Sequence, residues 1–245
     1  MVLEIPPHPV QLPSTMASQL FDKEAADWDN NPYTVASSKQ ALGAMLTYVP
    51  NLKHGPEAPD ILEIGCGTGL LSLLVAPYAH SLTAVDPSSE MIKALEAKLA
   101  VNPSISNIKP VCGLLRDSDD PKIQNPSVSG ESPKRFDLII SHLVLHHIPS
   151  LSEALKTMYG CLKPGGQIAL SDFENFGPEA RKFHPECKME GVERHGITRK
   201  EMETLMEETG FVDIRVDEGF RMNMPVESGG LMEFPVLICL GKKAM

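Results

Sequence analysis

An apolar segment that runs directly into three closely spaced glycines constrains the fold of this chain more than any other feature. Residues 60–64 contain three aliphatic side chains, and Gly65, Gly67 and Gly69 follow at once. Glycine tolerates the backbone angles of a tight turn and leaves no side chain in the way, so a ligand can lie against bare backbone where a helix begins. The segment therefore predicts a strand, a ligand-binding turn and a helix.

The spacing of the glycines excludes two common nucleotide-binding loops. A dinucleotide fingerprint reads G-x-G-x-x-G, but its last position here is Leu70 and the third glycine comes one residue early. A phosphate-binding loop requires a Lys-Ser or Lys-Thr pair after the glycines, and none follows. The turn therefore favours a ligand without phosphates. Asp86, at the end of the next apolar segment, does not separate the alternatives, because NAD enzymes also have an acid at this position.

The glycine motif and several later motifs resemble one enzyme family. G-x-G-x-G preceded by Glu63 resembles the cofactor loop of class I S-adenosylmethionine-dependent methyltransferases, in particular small-molecule enzymes of the type 11 and type 12 groups. Residues 135–142 and 143–148 look like the family's fourth strand and the stretch after it. Residues 162–172 resemble its L-K-P-G-G turn into strand five, and residues 21–29 resemble its N-terminal helix.

The resemblance implies an α/β fold with a Rossmann-like, mostly parallel sheet of seven strands in the order 3-2-1-4-5-7-6. Strand 7 is antiparallel in this fold, and helices are added at the N-terminus. The alternation of apolar strand-like and helical segments independently indicates parallel strands covered by helices. Strands are expected at about residues 60–65, 81–86, 108–113, 136–142, 166–172, 211–216 and 234–240. Helices are expected at about residues 69–79, 88–101, 151–161 and 198–209.

The length of 245 residues favours a single domain after a short N-terminal arm. Residues 1–17 hold four prolines and little periodicity, which indicates a flexible arm, and residues 18–245 form the domain. Residues 114–134 are rich in Ser, Pro and Asp and are expected to form a long surface loop. The expected parts of the domain are an N-terminal helical lid at 18–50, a cofactor-binding core at 60–172, an acceptor-site segment at 173–198, and the last helix and strand hairpin at 199–241.

S-adenosylmethionine is the cofactor that the resemblance implies. Its ammonium and ribose hydroxyls require carboxylates more than cationic side chains. Asp86 is expected to accept both ribose hydroxyls, and the source of the adenine contact is open, because strand three ends at Cys112 without an acid or amide. The expected cofactor-binding residues are Glu63, Gly65, Cys66, Gly67, Gly69, Asp86, Pro87, Met91, Leu114, Ser141 and His142.

Methyl transfer from a sulfonium needs placement of the acceptor and, for a protonated acceptor, removal of a proton. His142 and His195 are the candidate general bases, because a neutral imidazole can accept a proton near neutral pH. The alternatives are a structural role for these histidines and, for the histidines after strand four, metal binding. No metal is expected. The expected lid or acceptor-pocket residues are Trp28, Tyr33, His146 and His195.

The formal net charge of −10, without a block of basic residues, argues against a nucleic-acid partner. No apolar run is long enough to span a membrane, and no signal peptide is evident, so an intracellular, cytoplasmic location is expected, with the nucleus as an alternative. Five scattered cysteines are expected to be free thiols. Oligomeric state is not readable from the sequence.

The predicted function is transfer of a methyl group to a small-molecule acceptor by in-line displacement. The acceptor and the atom that is methylated are not specified by these motifs. Three alternatives stay open: a non-catalytic or regulatory protein that binds the cofactor, a nucleic-acid methyltransferase, and an NAD-dependent oxidoreductase.

Overall fold

The computed structural model describes residues 14–124 and 133–245. Most of the expected arm and part of the expected 114–134 loop lie outside the described residues. The first helix, α1, spans Ser14–Glu24 and so begins within the stretch that was expected to be an arm.

Six α-helices lie in the described parts of the chain. They are α1 and then α2 (Pro32–Tyr48), α3 (Leu70–Val75), α4 (Ser89–Ala100), α5 (Leu151–Cys161) and α6 (Arg199–Thr209). Short 3₁₀ turns lie at Trp28–Asn30, Ala76–Tyr78, Leu145–His147, Pro178–Phe183 and Glu186–Lys188. The third helix is shorter than expected because its C-terminal part tightens into the 3₁₀ turn that contains Pro77.

Seven strands form one mixed sheet. They are β1 (Asp60–Ile64), β2 (Ser81–Asp86), β3 (Ile108–Cys112), β4 (Phe136–His142), β5 (Leu162–Phe173), β6 (Phe211–Pro225) and β7 (Leu231–Lys243). Their order is β3-β2-β1-β4-β5-β7-β6. The first five strands pair in parallel, and β7 runs antiparallel to both β5 and β6. The predicted fold class, strand order and direction of strand 7 are confirmed.

Both faces of the sheet are buried, which explains why its central strands are almost continuously apolar. Successive strand residues point to opposite faces. Ile61 and Leu62 therefore belong to different core clusters, although both are fully buried. Helices α2, α3 and α4 cover the face that contains Ile61, and α5 and α6 cover the face that contains Leu62.

Three strand boundaries differ from the expected ones. β5 begins at Leu162, because a register shift opposite residues 136–138 lets Leu162 pair with Phe136 ahead of the glycine pair. β6 and β7 extend well beyond the expected 211–216 and 234–240, since they pair along a long hairpin. Apolar periodicity marks only its buried part, because the far end is mostly exposed.

Helix α6 has both of the predicted boundary signals. The Thr198 side chain accepts a hydrogen bond from the Glu201 backbone N–H, and Gly210 ends the helix at φ +100°. The five cysteines are free, as expected: Cys66, Cys112, Cys161, Cys187 and Cys239. Within residues 14–124 and 133–245, none of the helices combines the length and apolar character needed to cross a membrane.

Candidate active site

A cavity of 390 Å³ lies at the edge of the sheet where β1, β2 and β4 end. Open α/β sheets bind their ligands at this carboxyl edge, and small-molecule pockets have volumes of about 300–1,000 Å³. Ten of the residues expected to bind the cofactor or to form the lid line the cavity: Trp28, Glu63, Gly65, Cys66, Gly67, Asp86, Pro87, Met91, Leu114 and His142. The cavity therefore brings these ten residues together at one edge of the sheet, and their individual roles stay predictions.

Gly65 and Gly69 are required by packing within the glycine turn. Both have positive φ angles, +73° and +83°. A Cβ on Gly65 would lie 2.3 Å from a methyl of Val144, and one on Gly69 would lie 2.4 Å from a methyl of Leu95. Gly69, which was predicted to contact the cofactor, does not line the cavity; it allows α3 to begin close against α4.

Gly67 is different, because a side chain at this position would enter the cavity. Its φ is +53°, and the nearest atoms to an added Cβ would be the Trp28 Nε1 at 3.8 Å and the Met91 Sδ at 4.0 Å. Both of these neighbours also line the cavity. The absence of a side chain at this position therefore leaves space for a ligand rather than for protein.

Asp86 ends β2 with its carboxyl group held by backbone. One oxygen accepts the Gly67 N–H at 2.8 Å, and the other accepts the Ser88 N–H at 2.9 Å. Burial raises the pKa of Asp86 above its usual value, against the effect of these two hydrogen bonds. Each oxygen keeps a lone pair, so the oriented carboxyl group can still accept hydroxyl groups from a ligand.

Glu63 is almost completely buried at the base of the cavity, with 2% of its surface exposed. Its carboxyl group accepts a hydrogen bond from the Ser72 hydroxyl of α3 at 2.5 Å. Burial, together with the nearby carboxyl group of Asp86, raises the pKa of Glu63 to about 8. Glu63 is therefore mostly protonated at neutral pH in the unliganded chain.

The N-terminal segment forms one wall of the cavity. Trp28 and Phe21 line it, and their rings meet edge to face with centroids 6.0 Å apart. Three hydroxyl side chains from one face of α2 also line it: Thr34, Ser37 and Ser38. Tyr33, which was predicted to belong to the lid or pocket, does not line the cavity. It lies in the first turn of α2, where its backbone N–H is capped by Asn31, one residue off the face formed by those hydroxyls.

His142 lies at the end of β4 and lines the cavity. Its Nδ1 is 2.9 Å from the Ser171 hydroxyl, which in turn lies 3.3 Å from the Ser141 carbonyl oxygen. If Ser171 donates to that carbonyl, it accepts from Nδ1–H and leaves the lone pair on Nε2. His142 Nε2 is buried and has no hydrogen-bond partner in the described parts of the chain, and burial lowers the pKa of the ring to about 4.

Three other predicted site residues lie outside the cavity lining. Ser141 is fully buried, and its hydroxyl donates to the Ile64 carbonyl, so it joins β4 to β1. His146 is held away from the cavity by a buried contact of its Nδ1 with the Asp172 carboxylate at 2.8 Å. His195 lies close to another histidine, His184, rather than in the cavity. The roles predicted for them in cofactor binding, the pocket and catalysis are not supported by the cavity lining and stay predictions.

The stretch after β5 reaches the cavity through Glu193. Arg194 fixes this stretch to the turn after β4, because its guanidinium donates to the carbonyl oxygens of Leu145 and Ile148 at 2.6 Å and of Pro149 at 3.1 Å. The Glu193 backbone N–H also donates to the His146 carbonyl at 3.0 Å. One guanidinium thus connects two loops that are far apart in sequence.

Sequence reasoning missed two residues next to the cavity, Asp172 and His184. Asp172 ends the predicted fifth strand beside β4, and since adjacent parallel strands end at the same edge, its proximity to His146 was available from the strand order. His184 gave no such signal, because it lies in an irregular stretch without periodicity. In the structure, one ring nitrogen from each of His146, His147 and His184 lies within 4.8 Å of the other two, so these histidines could hold a metal ion.

The sequence matches the family model described as a methyltransferase domain over residues 37–216. The chain belongs to this methyltransferase family. Its membership confirms the class I S-adenosylmethionine-dependent methyltransferase predicted from the motifs, with S-adenosylmethionine as the cofactor. The matched region contains the glycine turn, Asp86 and His142, and it leaves out α1 and Trp28.

Individual relatives of this methyltransferase-family chain share the domain over part of their length. Chondramide synthase cmdD of Chondromyces crocatus is 35% identical over 175 residues, which are 66% of this chain and 4% of that protein. Malonyl-[acyl-carrier protein] O-methyltransferase of Priestia megaterium is 36% identical over 118 residues, 47% of this chain and 37% of that protein. The chain thus spans well under half the length of these two relatives.

A solved structure has the same fold over nearly the whole methyltransferase-family chain. The N-methyltransferase NodS from Bradyrhizobium japonicum WM9, in complex with S-adenosyl-L-homocysteine, superposes with a TM-score of 0.61 at 19% identity. The superposition covers 94% of this chain and 100% of NodS. At this level of identity the likeness concerns the fold alone.

Proposed function

We propose that the chain is an enzyme that transfers the methyl group of S-adenosylmethionine to a small molecule bound in the 390 Å³ cavity. The observation that carries this proposal is one cavity bordered by the glycine turn, the carboxyl groups of β1 and β2, and the His142 side chain. A cofactor site and a candidate base therefore border the same space.

In this proposal the cofactor lies against Gly67 and between the two buried carboxyl groups. Asp86 accepts the ribose hydroxyls, because backbone N–H groups already orient its two oxygens. Glu63 lies at the end of β1 and is assigned to the amino-acid part of the cofactor, whose ammonium favours an ionised carboxylate. Pro87, Met91 and Leu114 supply apolar surface for the adenine ring.

The acceptor is a small molecule with a hydroxyl group. The cavity volume is in the small-molecule range, and the wall contributed by Thr34, Ser37 and Ser38 offers hydroxyl groups for hydrogen bonds. Acidic residues at the cavity, such as Glu153 and Glu193, are unfavourable for a nucleic acid. Relatives named as O-methyltransferases support an oxygen as the acceptor atom.

His142 is the proposed general base. Its pKa of about 4 keeps the imidazole neutral across the physiological pH range, so the ring has a free lone pair, although burial also makes it a weaker base than an exposed histidine. The hydrogen bond to Ser171 favours the tautomer whose lone pair is on Nε2. The sulfonium supplies the leaving group, so a proton taken by Nε2 from the acceptor hydroxyl completes the displacement.

An acceptor screen that measures release of S-adenosylhomocysteine tests this function. With an acceptor in hand, His142→Gln is expected to lower kcat about 10²–10⁴-fold, because the amide cannot accept the proton as a base. The cofactor Kd measured by calorimetry is expected to change little, since the backbone turn and Asp86 hold the cofactor. The wild-type rate is expected to fall only as the pH approaches about 4, where Nε2 becomes protonated.

His80→Gln is the matched control, because His80 is an exposed histidine that does not line the cavity. Full activity of His142→Gln would remove the base and leave placement of the acceptor as the mechanism. Binding of the cofactor without turnover across a broad library would instead identify a non-catalytic member of the family.

A further inference from the structure

Three histidines come together beside the cavity and are not used by the proposed methyl transfer as donors or acceptors of protons. His146 and His147 follow β4, and His184 comes from the stretch between β5 and α6. One ring nitrogen from each lies within 4.8 Å of the other two. The ring centroid of His146 is 3.9 Å from that of His147 and 5.0 Å from that of His184.

The hydrogen bonds around two of the rings select the tautomer that a metal ion needs. His147 Nδ1 is 2.7 Å from the Gly191 carbonyl oxygen, which can only accept, so Nδ1 carries the proton. His146 Nδ1 contacts both oxygens of Asp172, at 2.8 and 3.0 Å. Both rings therefore keep the lone pair on Nε2, in the arrangement by which carboxylate and carbonyl groups orient metal-binding histidines.

The carboxylate partner is itself well suited to this role. Asp172 is fully buried, and its carboxyl group also accepts hydrogen bonds from the backbone N–H groups of His146, at 3.0 Å, and Phe173, at 2.8 Å. These contacts fix the carboxyl group beside the His146 ring. The carboxyl group makes the His146 ring a stronger electron-pair donor.

The His184 Nδ1 atom is buried and has no hydrogen-bond partner within the described parts of the chain. A buried polar atom without a partner is costly, and this atom belongs to a ring whose centroid lies 5.0 Å from that of His146 and 6.0 Å from that of His147. A bound ion would supply the missing partner.

We propose that His146, His147 and His184 bind one divalent transition-metal ion of the Zn²⁺ type. Three imidazoles form a nitrogen ligand set that suits Zn²⁺ or Co²⁺ and is unsuited to Mg²⁺ or Ca²⁺, which prefer oxygen. This proposal departs from the expectation of no metal, which considered only the histidines next to β4.

The ion would join two parts of the chain that flank the cavity. Ligand nitrogens lie at about 2.0–2.1 Å from Zn²⁺ and so about 3.3 Å from one another in a tetrahedral site, and the rings therefore draw together on loading. His147 lines the cavity, and His184 belongs to the stretch that carries Phe183 and later Glu193. Metal binding would fasten this stretch to the turn after β4, with the fourth coordination position left for water or a ligand atom.

Metal titration of the full chain without an affinity tag tests the proposal. After treatment with a chelator, the chain is expected to bind one equivalent of Zn²⁺ and not Mg²⁺, with a rise in the melting temperature. Co²⁺ is expected to give the visible absorption of a four-coordinate nitrogen site. His184→Gln is expected to raise the Zn²⁺ Kd by more than the 10–100-fold that is typical for loss of an outer partner.

Two control variants separate this site from other metal-binding groups. His80→Gln removes an exposed histidine elsewhere, and Cys187→Ser removes an exposed thiol close in sequence to His184. Both are expected to keep the wild-type Zn²⁺ affinity. If His184→Gln does not give a cooperative melting transition, His147→Gln provides the same comparison. Wild-type affinity in the folded histidine variant, loss of binding in Cys187→Ser, or no stoichiometric Zn²⁺ binding by the wild type would overturn the proposal.

Discussion

The buried Glu63 is the residue whose charge depends most on what occupies the cavity. Its pKa of about 8 arises because burial and the neighbouring Asp86 both disfavour the ionised form. Cys66, the other titratable group that interacts with Glu63, has a pKa raised well above its usual value by burial, so it stays a neutral thiol. A cationic ligand would favour ionised Glu63 and so lower this pKa.

Binding of S-adenosylmethionine is therefore expected to release a proton at neutral pH. Its affinity should increase as the pH is raised toward about 8, because less work is then needed to ionise Glu63. Calorimetry in buffers of different ionisation enthalpy measures the proton count. Glu63→Gln is expected to abolish the release, and an identical proton count in wild type and variant would show that Glu63 does not respond to the cofactor.

The same pKa shift affects stability in the unliganded chain. Because the folded-state pKa is raised, the contribution of Glu63 is fully present below its ordinary value of 4.5 and is lost as the pH rises toward about 8. The Glu63→Gln variant has no ionisable group at this position, so it lacks this pH-dependent loss of stability. The free energy of unfolding of the variant, from urea titrations, should therefore fall less than that of the wild type across this pH window.

Two glycines of one turn are expected to respond differently to the same substitution. Alanine at either position pays a similar penalty for positive φ. Gly69→Ala adds a clash with Leu95, so it should lower the melting temperature more. Gly67→Ala projects into the cavity and should weaken binding of S-adenosylhomocysteine at least about tenfold, or about 1.4 kcal/mol. The reverse pattern would mean that Gly67 does not face the cofactor.

Among the elements, the 3₁₀ turn Trp28–Asn30 and its neighbours are attached to the cofactor side of the sheet by two aspartates. Asp22 of α1 accepts the Ser88 hydroxyl at 2.6 Å and the Glu90 N–H at 3.1 Å at the start of α4. Asp29 accepts the Thr68 hydroxyl at 2.5 Å and pairs with Lys98. Polar contacts that exchange readily with water thus hold this wall of the cavity.

Saturation with S-adenosylhomocysteine is expected to change the fluorescence of the single tryptophan, Trp28, and to slow amide exchange across residues 21–38. Asp29→Ala should speed exchange there about tenfold in the free chain, because it removes two contacts of roughly 0.5–1.5 kcal/mol each. Glu57→Ala breaks an exposed ion pair with Lys53 and serves as the control. Ligand-independent fluorescence and exchange would argue against a lid.

At this scale the sequence predicted more about the sheet than about its surroundings. Strands β1 to β4 followed from apolar runs because both faces of the sheet are buried, and the helix caps at Thr198 and Gly210 followed from local chemistry. Whether Tyr33 and His195 line the cavity could not be predicted, because helix rotation and loop paths depend on tertiary contacts. The His146–Asp172 contact joins the turn after β4 to the end of β5, and only the strand order makes it visible.

The whole molecule depends on a sheet covered on both sides. Ile139 is fully buried in the cluster under α5 and α6 and does not line the cavity. Ile139→Ala is expected to lower the free energy of unfolding by about 2–5 kcal/mol. Val101→Ala, at a side chain that is 77% exposed, should change it by less than about 0.5 kcal/mol. Equal effects of the two substitutions in urea unfolding would contradict the two-sided core.

The Arg194 contacts allow the side chains of two loops to change without loss of the attachment between them. The guanidinium binds three carbonyl oxygens, and every residue supplies a carbonyl whatever its side chain. Side chains along the joined loops can therefore be exchanged in evolution, or randomised in a laboratory library, while the loops keep their attachment. The glycine turn has no such freedom, so new acceptors can be acquired without the cofactor being lost.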